Sequence, residues 1–112
     1  MHLNDIIARA RHIRSLYEKY ERETYGREWS TAEFALGLVV DIGDLAKLIQ
    51  ASLGVRGSLS EQELDAKLSH ELADCLWAIL VLADKLQINL GDAFVATMDE
   101  VEARLGSKSV SQ

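Results

Sequence analysis

The chain has 112 residues, 48% of them apolar, with a formal net charge of −6 and no proline. That length fits one domain, and the absence of proline favours long helices over a fold that needs many turns. The acidic balance excludes a general nucleic-acid or anionic-membrane surface, but not a nucleotide substrate, because a bound cation reverses the sign of an acidic pocket.

The first predicted helix covers about 3–25. Leu3, Ile6, Ile7, Ala10, Ile13, Leu16, Tyr17 and Tyr20 follow three-and-four spacing and make one apolar stripe. Arg9, Arg11, Arg14, Lys19 and Arg22 fall off the stripe and read as a solvated face laced with Glu18, Glu21 and Glu23. Gly26 is the expected stop.

The second helix is expected over about 31–53. Ser30 and Glu33 form a capping box, and Trp29 with Phe34 a hydrophobic staple. Leu38, Ile42, Leu45 and Ile49 mark its core face, Lys47 its wet side, and Gly54 its end. A loop over 54–59 leads to the third helix, about 61–87, opened by a second capping box at Ser60 and Glu63. The fourth helix, about 90–105, has Asn89 as cap and Gly106 as stop. Residues 1–106 are read as the single domain and 107–112 as a flexible tail.

Cys75, the one cysteine, lies in an apolar run and reads as a buried thiol. That run, from Cys75 to Ala83, is far short of the roughly 20 residues needed to cross a bilayer. The opening residues lack a secretory pattern, so a cytoplasmic protein without membrane or nucleic-acid partners is expected.

The informative residues are carboxylates on apolar helices. Asp74 is the sole charge between Leu72 and Ala83, and Glu71 precedes it by three residues. At 100° per residue the two lie about 60° apart, beside apolar neighbours. Asp41 and Asp44 repeat this spacing in the second helix, Asp41 at the edge of the core face. If the two helices pack side by side, four acids converge. Like charges at that range raise one another's pKa and oppose folding. A divalent cation removes the problem, and oxygen-only ligands suit Mg²⁺, or Mn²⁺, rather than a structural zinc. The competing reading pairs these acids with arginines or has them cap neighbouring helices.

Taken with their spacing, these segments resemble the all-α nucleoside triphosphate pyrophosphohydrolases related to MazG, including the dCTP pyrophosphatases, whose pattern is EExxE…ExxD. Residues 40–46 read VDIGDLA and residues 71–77 read ELADCLW. The LADKL of 82–86, then Met98, Asp99 and Arg104, extend the likeness over about 29–105.

The resemblance implies a four-helix bundle forming a homodimer or homotetramer. It implies that Asp41, Asp44, Glu71 and Asp74 hold Mg²⁺ against a nucleoside triphosphate, which is cut to monophosphate and pyrophosphate. Asp41, with Glu71, would serve the attacking water, while Trp29 and Arg104 would contact substrate. Val40 stands where the pattern has its first glutamate, and Thr97 and Val101 where relatives carry lysine and asparagine. Those departures motivate the alternative of a non-catalytic helical module that binds nucleotide or a protein. Trp77 is read as core, Gly43 as a close-approach position, His70 as a surface or interface residue, and His2 and His12 as residues without a partner.

Overall fold

The computed structural model describes residues 2–54 and 59–110, the last four of these (107–110) by backbone alone. All regular structure among them is helical: α1, Leu3–Tyr25; α2, Thr31–Ser52; α3, Glu61–Lys85; and α4, Leu90–Val110. Most of the predicted 54–59 loop lies outside the described residues, as does the end of the predicted tail.

The helix ends follow from local chemistry. Gly26 takes φ 76° and its N–H donates to the Arg22 carbonyl, closing α1 in the left-handed conformation that glycine adopts without cost. Both arms of the Ser30 box form: Glu33 N–H donates to Ser30 Oγ, and Ser30 N–H to Glu33 Oε1, each at 3.1 Å. Hydrogen bonds from Arg27, then the Ser30 N–H, pull the Glu33 carboxyl down to about 2, so this cap survives into acid. At Ser60 the hydroxyl accepts from Glu63 N–H at 3.1 Å. Asn89 Oδ1 accepts from Asp92 N–H at 3.0 Å, as its sequence position requires.

Two predicted ends move. α3 stops at Lys85 because Gln87 turns left-handed, at φ 58°, and the Ile88 N–H reaches back to the Ala83 carbonyl. The stop at Gly106 does not occur: α4 continues to Val110. Gly106 lacks the positive φ of Gly26 and Gly54, so it sits as an interior helical glycine.

α3 packs against α2 and, on its other side, against α1. The core between them is small: Phe34, Ala78 and Val81, with Leu38, Trp77 and Leu82 around it. Trp77 is a hinge point of the packing. Its ring meets Phe34 at 5.3 Å and Tyr17 at 5.5 Å, and its Nε1–H donates to the Ala10 carbonyl. The buried stripe of α2 is not the one the spacing suggests. Phe34 is buried and Leu38, Asp41, Leu45 and Leu48 are half-buried, while Ile42 and Ile49 are exposed. Asp41 therefore belongs to the contact face itself.

The predicted solvated face of α1 also needs correction. Arg14 is buried, its guanidinium 5.0 Å above the Phe34 ring and paired with buried Glu21. Arg11 pairs with Asp84, Lys85 with Glu18, and Arg22 with Glu28.

The bundle within one chain is carried by α1, α2 and α3. α4 touches it near its start, where Leu90 shares a cleft with Asn4, Ile7 and Leu80. A Cβ on Gly91 would stand 3.0 Å from Leu3 Cδ2. The result is elongated, with a radius of gyration of 18.0 Å against about 13 Å for a compact chain of this size. No described helix is long and apolar enough to cross a membrane.

Candidate metal centre

Asp41, Asp44 and Glu71 come together. One carboxylate oxygen from each lies within 4.8 Å of the others, in the groove between α2 and α3. Helix geometry explains the convergence: three residues is just under one turn, so Asp41 and Asp44 share a face, and packing on α3 brings Glu71 across from them.

The site is charged and short of partners. Glu71 Oε2 is buried and accepts no hydrogen bond. Among the described residues none of the three acids is in an ion pair. Among the described arginines, Arg27 pairs with Glu33 and Arg14 with Glu21. Burial first, then the charges of Asp74 and Asp44, push the Asp41 carboxyl above its usual range. An orphaned buried oxygen within a cluster of repelling carboxylates fits an oxygen-seeking divalent cation.

Asp74 lies outside this trio. Its Oδ2 is 3.1 Å from His70 Nε2, one turn back on α3, and the side chain is 45% exposed. Cys75 is buried behind the cluster, and burial, then the charges of Asp41, Glu71 and Asp74, raise its thiol, leaving it a packing residue rather than a nucleophile.

Two clefts flank the cluster. Toward the start of α2, a cavity of about 490 Å³ is walled by Tyr17, Tyr20, Tyr25, Trp29, Phe34 and Trp77, and Asp41 is on its wall. Trp29 is 45% exposed and lies over Gly37, where a Cβ would be in ordinary contact with the ring at 3.7 Å. The Trp29 backbone is fixed by its N–H donating to Glu21 Oε1 at 2.8 Å. Toward the end of α2, a cleft of about 450 Å³ joins Asp44 and Glu71 to Lys47, Lys67 and His70.

The spacing points to Asp41, Asp44 and Glu71, which the structure gathers, but not to the side chains around them. The three tyrosines come from α1, and no spacing rule links α1 to α2. Lys47 is exposed, as a wet-side residue should be, yet with Lys67 it borders the cluster, and the repeat of Asp41, Asp44 and Lys47 every three residues is the signal for it. Arg104 is exposed and lines neither flanking cleft, so one chain does not bring it to the cluster.

The class that fold and site define is an all-α protein with a carboxylate centre between two neighbouring helices. Comparison with known protein families, with curated proteins and with solved structures gave no match.

Proposed function

We propose that the chain is a Mg²⁺-dependent nucleoside triphosphate pyrophosphohydrolase, converting a (deoxy)nucleoside triphosphate and water to monophosphate and pyrophosphate in nucleotide house-cleaning. The observation that carries this reading is the cluster of Asp41, Asp44 and Glu71, with its unsatisfied buried oxygen, opening directly onto an aromatic cavity. The EExxE…ExxD likeness supports the same assignment.

Asp41, Asp44 and Glu71 would hold the cation, with Asp74 joining them after a side-chain rotation away from His70. When bound, Mg²⁺ would withdraw charge from the phosphoryl oxygens. Trp29 and the tyrosines offer flat faces for a base, and Asp41 stands where the aromatic wall meets the cluster. From that position it would take the proton of a water attacking the α-phosphorus while the α–β bridging oxygen departs with pyrophosphate. Glu71 would help orient that water through its free oxygen. Mn²⁺ is the natural substitute ion.

A homodimer or homotetramer in the cytoplasm is part of the same reading. Leu36, Val39 and Val40 are 67%, 65% and 63% exposed on α2, and Phe94 is 62% exposed on α4, more bare apolar surface than a monomer usually shows.

The test is pyrophosphate release across the common (d)NTPs with and without Mg²⁺ or Mn²⁺. Metal-dependent release that is lost in Glu71→Gln and weakened in Trp29→Ala is expected; no release from any nucleotide overturns the enzyme. The position of Arg104 outside both clefts favours the second reading, a non-catalytic module, which predicts nucleotide binding or partner binding without turnover.

A further inference from the structure

The groove between α2 and α3 carries three chemistries in sequence. Because the two helices run in opposite directions, residues pair by level: Gly37 and Val40 lie near Trp77, Asp44 near Glu71, and Lys47 and Leu48 near Lys67 and His70. Along α2 the order is aromatic, acidic, basic. From Gly37 to Lys47 the helix advances about 15 Å, the length scale of an extended nucleoside triphosphate.

The basic end stands out against its surroundings. The chain has 12 lysines and arginines against 18 acids. Two lysines and a histidine from two helices nonetheless converge beside the carboxylates. Neither Lys47 nor Lys67 forms an ion pair among the described residues, although Asp44 and Glu71 border the same cleft. Both lysines are exposed, leaving three donors each free for an anion. The Glu71 carboxylate has one oxygen in the three-acid cluster and borders the basic cleft, so an ion on the cluster and an anion on the lysines would be neighbours.

Resting on the functional reading above, we propose that Lys47 and Lys67, with His70 held by Asp74 at their border, form the subsite for the β- and γ-phosphates and for the departing pyrophosphate. The metal cluster alone would grip a monophosphate and a triphosphate through the same α-phosphate. A separate basic lip makes the site prefer the polyphosphate and fixes its direction, with the base toward Trp29 and the leaving group toward the loop between α2 and α3. Charge-assisted hydrogen bonds from the lysines would strengthen as the bridging oxygen gains charge, which assigns them a part in leaving-group stabilisation.

The experiment is calorimetric titration of the full chain with inorganic pyrophosphate in excess Mg²⁺, and separately with a deoxynucleoside monophosphate. It uses wild type, Lys47→Met/Lys67→Met and the control Lys19→Met. The double variant is expected to lose between tenfold and a hundredfold in pyrophosphate affinity, to keep monophosphate affinity, and to keep the thermal shift produced by Mg²⁺ alone. Lys19→Met should match wild type throughout. Unchanged pyrophosphate affinity in the double variant, or an equal loss for the monophosphate, overturns the subsite. So does a wild type that binds no pyrophosphate. The outcomes separate from those of the enzyme assay: pyrophosphate held by the two lysines in a protein without turnover keeps the subsite and removes the hydrolase, whereas turnover with an unaltered KM in the double variant does the reverse.

Discussion

Arg14 and Glu21, seven residues apart on α1, face each other through two parallel hydrogen bonds: Nη1 to Oε2 at 2.9 Å and Nη2 to Oε1 at 3.0 Å. Both side chains are more than nine-tenths buried. The pair does more than neutralise itself. Glu21 also accepts the Trp29 N–H, and Arg14 lies over Phe34, so two charges tie α1 to the start of α2 and set the wall of the aromatic cavity.

Breaking that pair should be costly. Arg14→Met leaves the Glu21 carboxylate buried without its counter-ion, and a loss of about 3–5 kcal/mol is expected. Arg14→Met/Glu21→Leu should be more stable than Arg14→Met alone, because the second change removes the stranded charge. Urea unfolding of the three proteins measures the coupling. A double variant weaker than the single one would show that Glu21 acts chiefly through Trp29.

The same pair gives acid unfolding a predictable sign. Burial by itself would raise the Glu21 pKa, but the Arg14 guanidinium and the Trp29 N–H together hold it below the ordinary 4.5. A carboxyl depressed in the folded state stabilises it fully above the unfolded pKa, and that stability is lost as pH falls through the folded value. The stability of wild type should therefore drop more steeply below pH 4.5 than that of Arg14→Met/Glu21→Leu. Thermal melts at half-unit steps from pH 6 downward read the difference.

Asp41 behaves oppositely. Its folded pKa is raised, by burial and then by Asp74 and Asp44, so its ionisation opposes folding once pH rises through that value. Asp41→Asn should raise the melting temperature of metal-free protein at pH 7, with the gain shrinking toward pH 3.8. It should also remove most of the stabilisation that Mg²⁺ gives wild type. A variant that melts lower than wild type without metal, or responds equally to Mg²⁺, would contradict the cluster's role.

Gln87 holds a left-handed conformation, φ 58°, at the junction of α3 and α4, where glycine would carry no Cβ penalty. Its N–H donates to the Asp84 carbonyl, and that bond does not depend on the side chain. Gln87→Gly should stabilise the chain by about 0.5–1 kcal/mol, the conformational gain exceeding the glycine's entropy cost. Loss of stability in chemical unfolding would mean that the Gln87 side chain contributes contacts at this turn.

Much of this architecture is legible in the amino-acid sequence. Ser30, Ser60, Asn89 and Gly26 mark helix ends because capping is local chemistry within four residues of chain. The i,i+3 pairs of carboxylates stood out because a charge between Leu72 and Ala83 breaks a periodicity that is otherwise apolar. Gly106 does not end its helix because a glycine does so only where it turns left-handed itself, as Gly26 does, and nothing in its own identity says whether it will.

Other features depend on which helix lies against which. That Arg14 is buried while Arg11 is not follows from α2 crossing α1 at Phe34, and Ile42 yields the contact face to Asp41 because of how α2 is rotated against α3. The order of aromatic, acidic and basic residues in one groove follows from two helices lying side by side at a particular register. The sequence by itself determined the four helices, their caps and the pairing of acids along each helix, since these are set by neighbours one turn away. Only the tertiary structure decided which charges are buried and which side chains from separate helices share a cleft, because rotation and register are settled by the packing of whole faces.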